Sequence, residues 1–351
     1  MALVIGDIHF KTSNVIETDQ LLKSIKKIIK NRGDEFEFVV LLGDILDTFN
    51  RTEISVLHRA SNFILSISEK KKVYVIIGNH DRENNDVFLN DKHFFTGLKG
   101  KENIVIVDEV IVEDEYVFVP YVYPGRFQEA LDTYFKSNDE KLEDKKVIFC
   151  HQEFYGCKMG FVTSEKGDKW SEDNIPVISG HIHEFHIPQS NIIYVPTPYQ
   201  MSYTDESEKF IGLFSFNKKE KKENKYTKGI TYDKVESGIR KKVQITLSLE
   251  DFKEWEWNGK DNTRVIIEGD GKVIKSFVRD YQLKLVKEYG RMPEDLMIII
   301  RNTVQKEVNK MKLSKLNEKG MSFSERLMKV VKNIEPALQE KLEEIIHEEE
   351  R

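Results

Sequence analysis

The sequence predicts an α/β protein, a four-layer β-sandwich flanked by helices, followed by a small β-β-α-β unit and C-terminal helices. Short apolar runs alternate with helix-period segments from the N-terminus onward, as in a layered sheet. Beyond residue 100 the strand-like runs shorten and follow one another closely, so the sheet becomes mixed. The apolar pattern then resets after a lysine-rich polar stretch at 217–228, which marks a separate fold unit.

Residues 3–5 read as the opening strand, and 18–32 as a helix. In that helix Leu21, Leu22, Ile25, Ile28 and Ile29 fall on one stripe, with lysines on the other face. Residues 38–42 form a buried strand, 52–70 a helix through Leu57, Ala60, Phe63, Ile64 and Ile67, and 73–77 a third strand. Shorter strands follow at 104–107, 116–119, 147–150, 177–179, 192–195 and 210–216. The polar stretch 217–228 reads as an exposed hairpin or linker with a strand-like return at 229–233.

After the reset, strands at 243–249 and 264–268, a helix at 276–289 and a strand at 297–301 make the β-β-α-β unit. The segment 322–350 has helical spacing through Leu327, Val331, Ile334, Leu338, Leu342 and Ile345. Pro336 suits the first turn of a helix and not its interior, so this segment reads as two short amphipathic helices. The expected division is 1–235, 241–310 and 320–351. A chain of 351 residues is too long for one ordinary core, which agrees with that division.

A hydrophobic fraction of 39% and a charged fraction of 32% fit a soluble globular protein. No run approaches the roughly 18 apolar residues of a membrane span. The N-terminus lacks a basic leader and enters a strand at once, so the expected setting is intracellular, cytoplasmic or nuclear, or a virus-encoded protein acting inside its host cell. Cys150 and Cys157 match neither a zinc ribbon nor a redox pair and read as small packing residues in a reducing compartment. The net charge of −6 argues against a surface that is basic throughout, although two bound divalent cations would add about +4 locally.

Five motifs occur in order, each just after an expected strand: Asp7-Ile8-His9, Gly43-Asp44-Ile45-Leu46-Asp47, Gly78-Asn79-His80-Asp81, His151, and Gly180-His181-Ile182-His183. Singly each is weak; together they place ligand-type side chains repeatedly at equivalent positions. Hydrolysis of a phosphodiester needs a held water, neutralised phosphoryl oxygens and help for the leaving oxygen, which two cations about 3.5–4 Å apart can supply. A carboxylate such as Asp44 can give one oxygen to each cation, while Asp7, His9, Asn79, His151, His181 and His183 complete the two shells. Gly43, Gly78 and Gly180 precede ligands where the chain must turn sharply. Nitrogen and oxygen donors without thiolate favour manganese, iron or zinc over calcium or magnesium alone. Asp47 and Asp81 are placed to orient imidazoles or hold the loops. His58, His93 and His347 read as hydrogen-bonded core histidines, and His186 is ambiguous.

This set, DxH, GDxxD, GNHD, a lone His and GHxH, resembles that of the calcineurin-like metallophosphoesterases and runs from Asp7 to His183. The resemblance implies one cation held by Asp7, His9, Asp44 and His183, and another by Asp44, Asn79, His151 and His181. It implies manganese as the metal. It also implies that His80 is a catalytic, non-ligand histidine that contacts the scissile phosphate and assists departure of the leaving oxygen. Asp47-Thr48-Phe49 and the closing Asp81 depart from the GDxxDRG and GNHE patterns of protein phosphatases.

The stretch Asn191-Ile192-Ile193-Tyr194-Val195-Pro196-Thr197-Pro198 resembles the Tyr-x-Gly-Ser/Thr-Pro element of the SbcD/Mre-type DNA repair and recombination nucleases, including the phage recombination nuclease subunit, with Pro196 where those often carry glycine. Such nucleases add an α/β capping domain and a helical segment that docks on an SMC-like ABC ATPase, and the resemblance extends to 243–301 and 322–350. It implies exonuclease and endonuclease action on DNA, with homodimer formation through the phosphoesterase domain. Two alternatives remain: a phosphodiesterase for a small substrate such as a cyclic nucleotide, and a non-catalytic scaffold subunit.

Overall fold

The computed structural model describes residues 1–85, 88–160, 162–206, 208–216 and 229–303. The lysine-rich stretch 217–228 and the helices expected in 320–351 lie outside the described residues, as do 304–310. Two compact units divide the chain, one over Met1–Lys242 and one beginning at Val243.

The first half of the larger unit runs β1 (Ala2–Ile5), α1 (Val15–Arg32), β2 (Phe38–Leu41), α2 (Ile54–Ser68), β3 (Lys72–Ile76) and β4 (Ile104–Val107). Its second half runs β5 (Ile111–Glu113), β6 (Tyr116–Val119), α3 (Phe127–Phe135), β7 (Val147–Cys150), β8 (Lys158–Met159), β9 (Val162–Thr163), β10 (Val177–Ser179), β11 (His186–Gln189), β12 (Ile192–Tyr194), β13 (Ile211–Ser215) and β14 (Thr231–Val235). Two six-stranded sheets result, ordered β14-β13-β1-β2-β3-β4 and β11-β12-β10-β7-β6-β5. Parallel strands run β1-β2-β3-β4 in one and β12-β10-β7-β6 in the other; antiparallel strands flank them on the β13-β14 side of the first sheet and at both edges, β11 and β5, of the second, while β4 is a parallel edge.

Strand periodicity sorts the side chains into layers, because successive residues point to opposite faces. Leu3 and Ile5 of β1, with Val39, Leu41, Val73 and Val75, pack under α1 and α2 against Leu21, Ile25, Ala60, Phe63 and Ile67. Their neighbours Ala2, Val4, Phe38, Val40, Tyr74 and Ile76 face the other sheet and meet Phe118, Val147, Phe149, Ile178 and Ile193. The outer face of that second sheet, through Val117, Ile148 and Tyr194, packs on Phe127, Ala130 and Leu131 of α3. Helices, sheet, sheet and helix are the four expected layers. Burial on both faces explains why the central strands read as unbroken apolar runs, each large side chain contributing about 1.5–3 kcal/mol.

Some expected elements differ. The helix expected at 52–70 spans Ile54–Ser68, and the strand expected at 229–233 is Thr231–Val235. Helix α3, strands β5 and β11 and the β8–β9 hairpin lie outside the expected elements; these four strands are half-buried or exposed and so lack the unbroken apolar run that marks a buried strand of the same length. The Phe127, Ala130, Leu131 spacing was a legible helix signal. His58 is not a core histidine: it stands on the exposed side of α2, 2.9 Å from Asn62 Nδ2. The side chain of His93 is enclosed, with Nε2 3.0 Å from Asp108 Oδ2 and Nδ1 accepting from the Phe95 amide at 3.1 Å.

The smaller unit runs β15 (Lys242–Ser248), α4 (Leu249–Glu254), β16 (Asn262–Gly269), α5 (Gly271–Tyr289) and β17 (Leu296–Asn302), with sheet order β15-β16-β17. Strands β16 and β17 are parallel, joined through α5. Phe252, Val265, Ile267, Ile274, Val278, Leu285 and Leu296 form its core. Asp270 caps α5 by accepting from the Lys272 amide at 2.8 Å, so the helix starts five residues before the expected 276, and Gly290 ends it at φ 76°.

Candidate metal centre

Every motif lies just beyond the carboxyl end of a parallel strand: Asp7 and His9 after β1, Asp44 after β2, Asn79 and His80 after β3, His151 after β7, and His181 and His183 after β10. That end of a parallel sheet is where loops from several strands can converge. Among the non-glycine residues held at positive φ are His9 at 51°, Asp44 at 45° and His181 at 79°. Left-handed backbone is uncommon for such residues and is tolerated where surrounding structure fixes it.

The three glycines serve the site in different ways. Gly43 has φ 99°, and a Cβ there would stand 2.6 Å from His151 Nδ1. Gly78 and Gly180 need no unusual φ. A Cβ at Gly78 would fall 2.2 Å from the Asp44 amide nitrogen, and one at Gly180 would fall 2.5 Å from Asp7 Oδ1. For these two, closeness of the loops and not freedom of the turn excludes a side chain.

The side chains converge in two groups. Asp7, His9 and His183 bring one donor atom each within 4.8 Å of one another, and so do Asp44, His151 and His181. Asp44 faces both: its Oδ2 is 3.8 Å from His9 Nε2, and its Oδ1 is 3.4 Å from His151 Nε2. Asn79 Oδ1 joins the second group at 2.9 Å from His151 Nε2 and 3.2 Å from His181 Nδ1. In the first group His9 Nε2 and His183 Nε2 are 3.0 Å apart, and Asp7 Oδ2 is 3.7 Å from His183 Nε2.

His80 stands beside both groups. Its amide donates to Asp44 Oδ1 at 2.9 Å, its Nδ1 lies 2.7 Å from the Asp47 carbonyl, and its Nε2 is 3.9 Å from Asp44 Oδ2. Asp47 Oδ1 lies 3.5 Å from His9 Nδ1 and 3.3 Å from Lys11 Nζ. The buried Asp81 accepts from the amides of Ile45 at 3.3 Å, Leu46 at 2.9 Å and Gly78 at 3.0 Å, fastening the Asp44 loop to the Asn79 loop.

The electrostatics favour cations. Burial pushes His9 and His181 down to about 3, so both imidazoles are neutral lone-pair donors. Burial likewise lowers His183. Burial would raise the Asp44 carboxyl, but His151 and His9 outweigh it and hold the group well below the ordinary carboxylate range. Asp7 and Asp44 are both fully enclosed, and their described ion-pair neighbours are imidazoles and not an ammonium or guanidinium. Burial pushes the Asp7 carboxyl up to about 7, and burial would lower His151, but Asp44 with Asp7 outweighs it and pushes His151 up to about 9, so the cluster holds protons that bound cations would displace. Two carboxylates, an amide oxygen and four imidazoles, with no thiol, fit a pair of divalent cations.

Several supporting residues carried no motif. The Leu42 carbonyl lies 2.8 Å from His151 Nδ1, which directs Nε2 toward Asn79 and Asp44. Asn14 Nδ2 donates to the His9 carbonyl at 2.7 Å and to Tyr199 Oη at 2.9 Å, while Tyr199 Oη donates to the Ile8 carbonyl at 2.6 Å. Tyr121 stacks on His181 with centroids 5.9 Å apart. The Pro196-Thr197-Pro198 segment that leads to Tyr199 is held against the site: the Thr197 amide donates to the His183 carbonyl at 3.2 Å, and a Cβ at Gly6 would meet the Pro196 carbonyl at 2.3 Å.

The profile of the family described as Calcineurin-like phosphoesterase matches residues 2–185. The chain is 40% identical over 222 residues to 078R, a protein of Invertebrate iridescent virus 3 named as a phosphoesterase. That alignment covers 62% of this chain and 63% of the viral protein, less than two thirds of its length. It is 35% identical over 284 residues to 244L of Invertebrate iridescent virus 6, also named as a phosphoesterase, covering 79% of this chain and 97% of that protein. No described helix is long and apolar enough to cross a membrane. The family match over more than half the chain, and the near-complete coverage of 244L, show that this chain belongs to the calcineurin-like phosphoesterases, metal-dependent hydrolases of phosphate esters.

Proposed function

We propose that the chain is a DNA nuclease that hydrolyses phosphodiesters at a two-cation site, acting in recombination or repair inside the host cell. The observation that carries the two-cation reading is Asp44, whose two oxygens face two separate donor groups at 3.8 and 3.4 Å. In this reading Asp7, His9, Asp44 and His183 hold one cation, and Asp44, Asn79, His151 and His181 the other, with manganese as the metal. When bound, the pair neutralises the phosphoryl oxygens and acidifies a water for attack.

The chain's own residues do the rest. Asp81 locks the two loops that carry Asp44 and Asn79, so the donors need little rearrangement to bind. The Leu42 carbonyl orients His151, and Asn14 with Tyr199 fixes the backbone of the Asp7 loop. His80 is a ligand in neither set; its Nε2 is directed to the pocket by the Asp47 carbonyl on the opposite nitrogen, which suits a group assisting departure of the leaving oxygen.

DNA as the substrate is supported by the motif resemblance and by the additional α/β unit that begins at Val243, which a small-substrate enzyme does not obviously need. The same resemblance supports a homodimer and an SMC-like ABC ATPase as partner. The test is cleavage of end-labelled hairpin, duplex and single-stranded DNA with manganese, beside cyclic nucleotides, with His80→Ala as control. Loss of DNA cleavage in the variant supports the reading. Turnover of cyclic nucleotides without cleavage of any DNA form rejects it.

A further inference from the structure

We propose that Phe49 is a positioning residue for His80, holding its imidazole at the angle needed to serve the leaving oxygen; this rests on the role given to His80 above. The ring of Phe49 lies on that of His80 with centroids 4.1 Å apart and planes inclined by 26°. His9 meets His80 edge-on, at 5.1 Å and 85°.

His80 needs such support. Its side chain is 26% exposed, far more open than those of Asp44 and His9, each 3%. One side-chain hydrogen bond, from Nδ1 to the Asp47 carbonyl at 2.7 Å, fixes a single ring atom and leaves the plane free to tilt about it. A flat aromatic face removes that tilt, because stacked rings lose contact when they incline. With Nδ1 anchored and the plane fixed, Nε2 has one direction, toward the region 3.9 Å from Asp44 Oδ2.

The anchor and the stack come from the same short loop. Asp47 supplies the carbonyl, Phe49 supplies the ring, and the next residue, Asn50, takes φ 55° and donates its amide to the Arg82 carbonyl at 3.2 Å. The loop that holds His80 is thus tied to the loop that carries it. Phe49 touches no residue of the two donor groups among the described ring contacts, so its effect is expected on the leaving step and not on cation binding.

The test compares phenyl and p-nitrophenyl esters of thymidine monophosphate with manganese, since only the poorer phenyl leaving group needs assistance. Phe49→Ala should lower kcat on the phenyl ester about tenfold and on the p-nitrophenyl ester less than about twofold, with KM and bound manganese unchanged. Phe49→Tyr and Phe49→Trp, which keep the stack, should stay within about threefold of the parent. The Phe49→Ala, His80→Ala double variant should be no slower than His80→Ala. Equal loss on both esters, loss of manganese or additive losses in the double variant would overturn the proposal. If His80→Ala shows the leaving-group dependence and Phe49→Ala does not, Phe49 alone is wrongly assigned. If His80→Ala lacks it too, the role of His80 falls and the proposal with it.

Discussion

His9 Nε2 and His183 Nε2 stand 3.0 Å apart although 174 residues separate them in the chain. Burial lowers both imidazoles, so two lone-pair donors are held where a shared cation would stabilise them. Metal binding should therefore contribute to folding as well as to activity. Protein stripped with a chelator and then given manganese should take up two ions per chain. At a free concentration 100 times the dissociation constant each site adds about 2.7 kcal/mol to stability. Calorimetric scans with and without manganese test this; an unchanged transition would count against the site.

Asp44 faces both donor groups, through Oδ2 to His9 and Oδ1 to His151. Asp44→Asn should therefore weaken both sites, leaving fewer than one manganese ion per chain and no turnover, whereas Asn79→Ala should spare one ion. Metal analysis of the two purified variants distinguishes these outcomes. Equal metal content in both would show that Asp44 is not shared.

Asp81 accepts three backbone amides from two loops while lying outside both donor groups. Asp81→Asn keeps one acceptor oxygen and loses the charge. Manganese affinity should fall about 10–100-fold, with the fold retained. Titration of manganese into the variant, followed by circular dichroism, measures both.

Gly78 and Gly180 sit where loops touch. A methyl group at Gly78 would meet Asp44 at 2.2 and 2.3 Å, and one at Gly180 would meet Asp7 Oδ1 at 2.5 Å and the Leu42 carbonyl at 2.7 Å. Each Gly→Ala change should cost about 1–3 kcal/mol or more, and activity should fall with it. By contrast Gly97→Ala, where a Cβ meets nothing within 4 Å, should leave both unchanged. Urea denaturation midpoints make the comparison.

The Asp108 carboxylate pairs with His93 at 3.0 Å and with Lys99. Burial raises its pKa, but these partners outweigh burial and hold it below the ordinary value of 3.8. A depressed carboxyl pKa contributes stability above the unfolded value, and that contribution is lost as pH falls through the folded value. Asp108→Asn should thus be less stable than the parent by about 1–3 kcal/mol at neutral pH. The gap should close as pH drops below 3.8. Denaturation curves at several pH values would show the convergence; a gap that widens in acid would contradict it.

The sequence by itself determined the fold class and the identity of the converging side chains. Central strands buried on both faces had to be unbroken apolar runs, and ligand-type residues recurred directly after them, so β1, β2, β3, β7 and β10 and their motifs were legible locally. What lacked local pattern was not: β5 and β11 are edge strands of three and four residues, and the exposed setting of His58 depends on which face of α2 is covered. Only the tertiary structure decided that Gly78 and Gly180 are demanded by space, that Asp81 bridges two loops, and that Phe49 lies on His80. The physical reason is distance: periodicity encodes which way a side chain points within its own element, but contacts between separate loops exist only once two sheets have packed and brought their strand ends together.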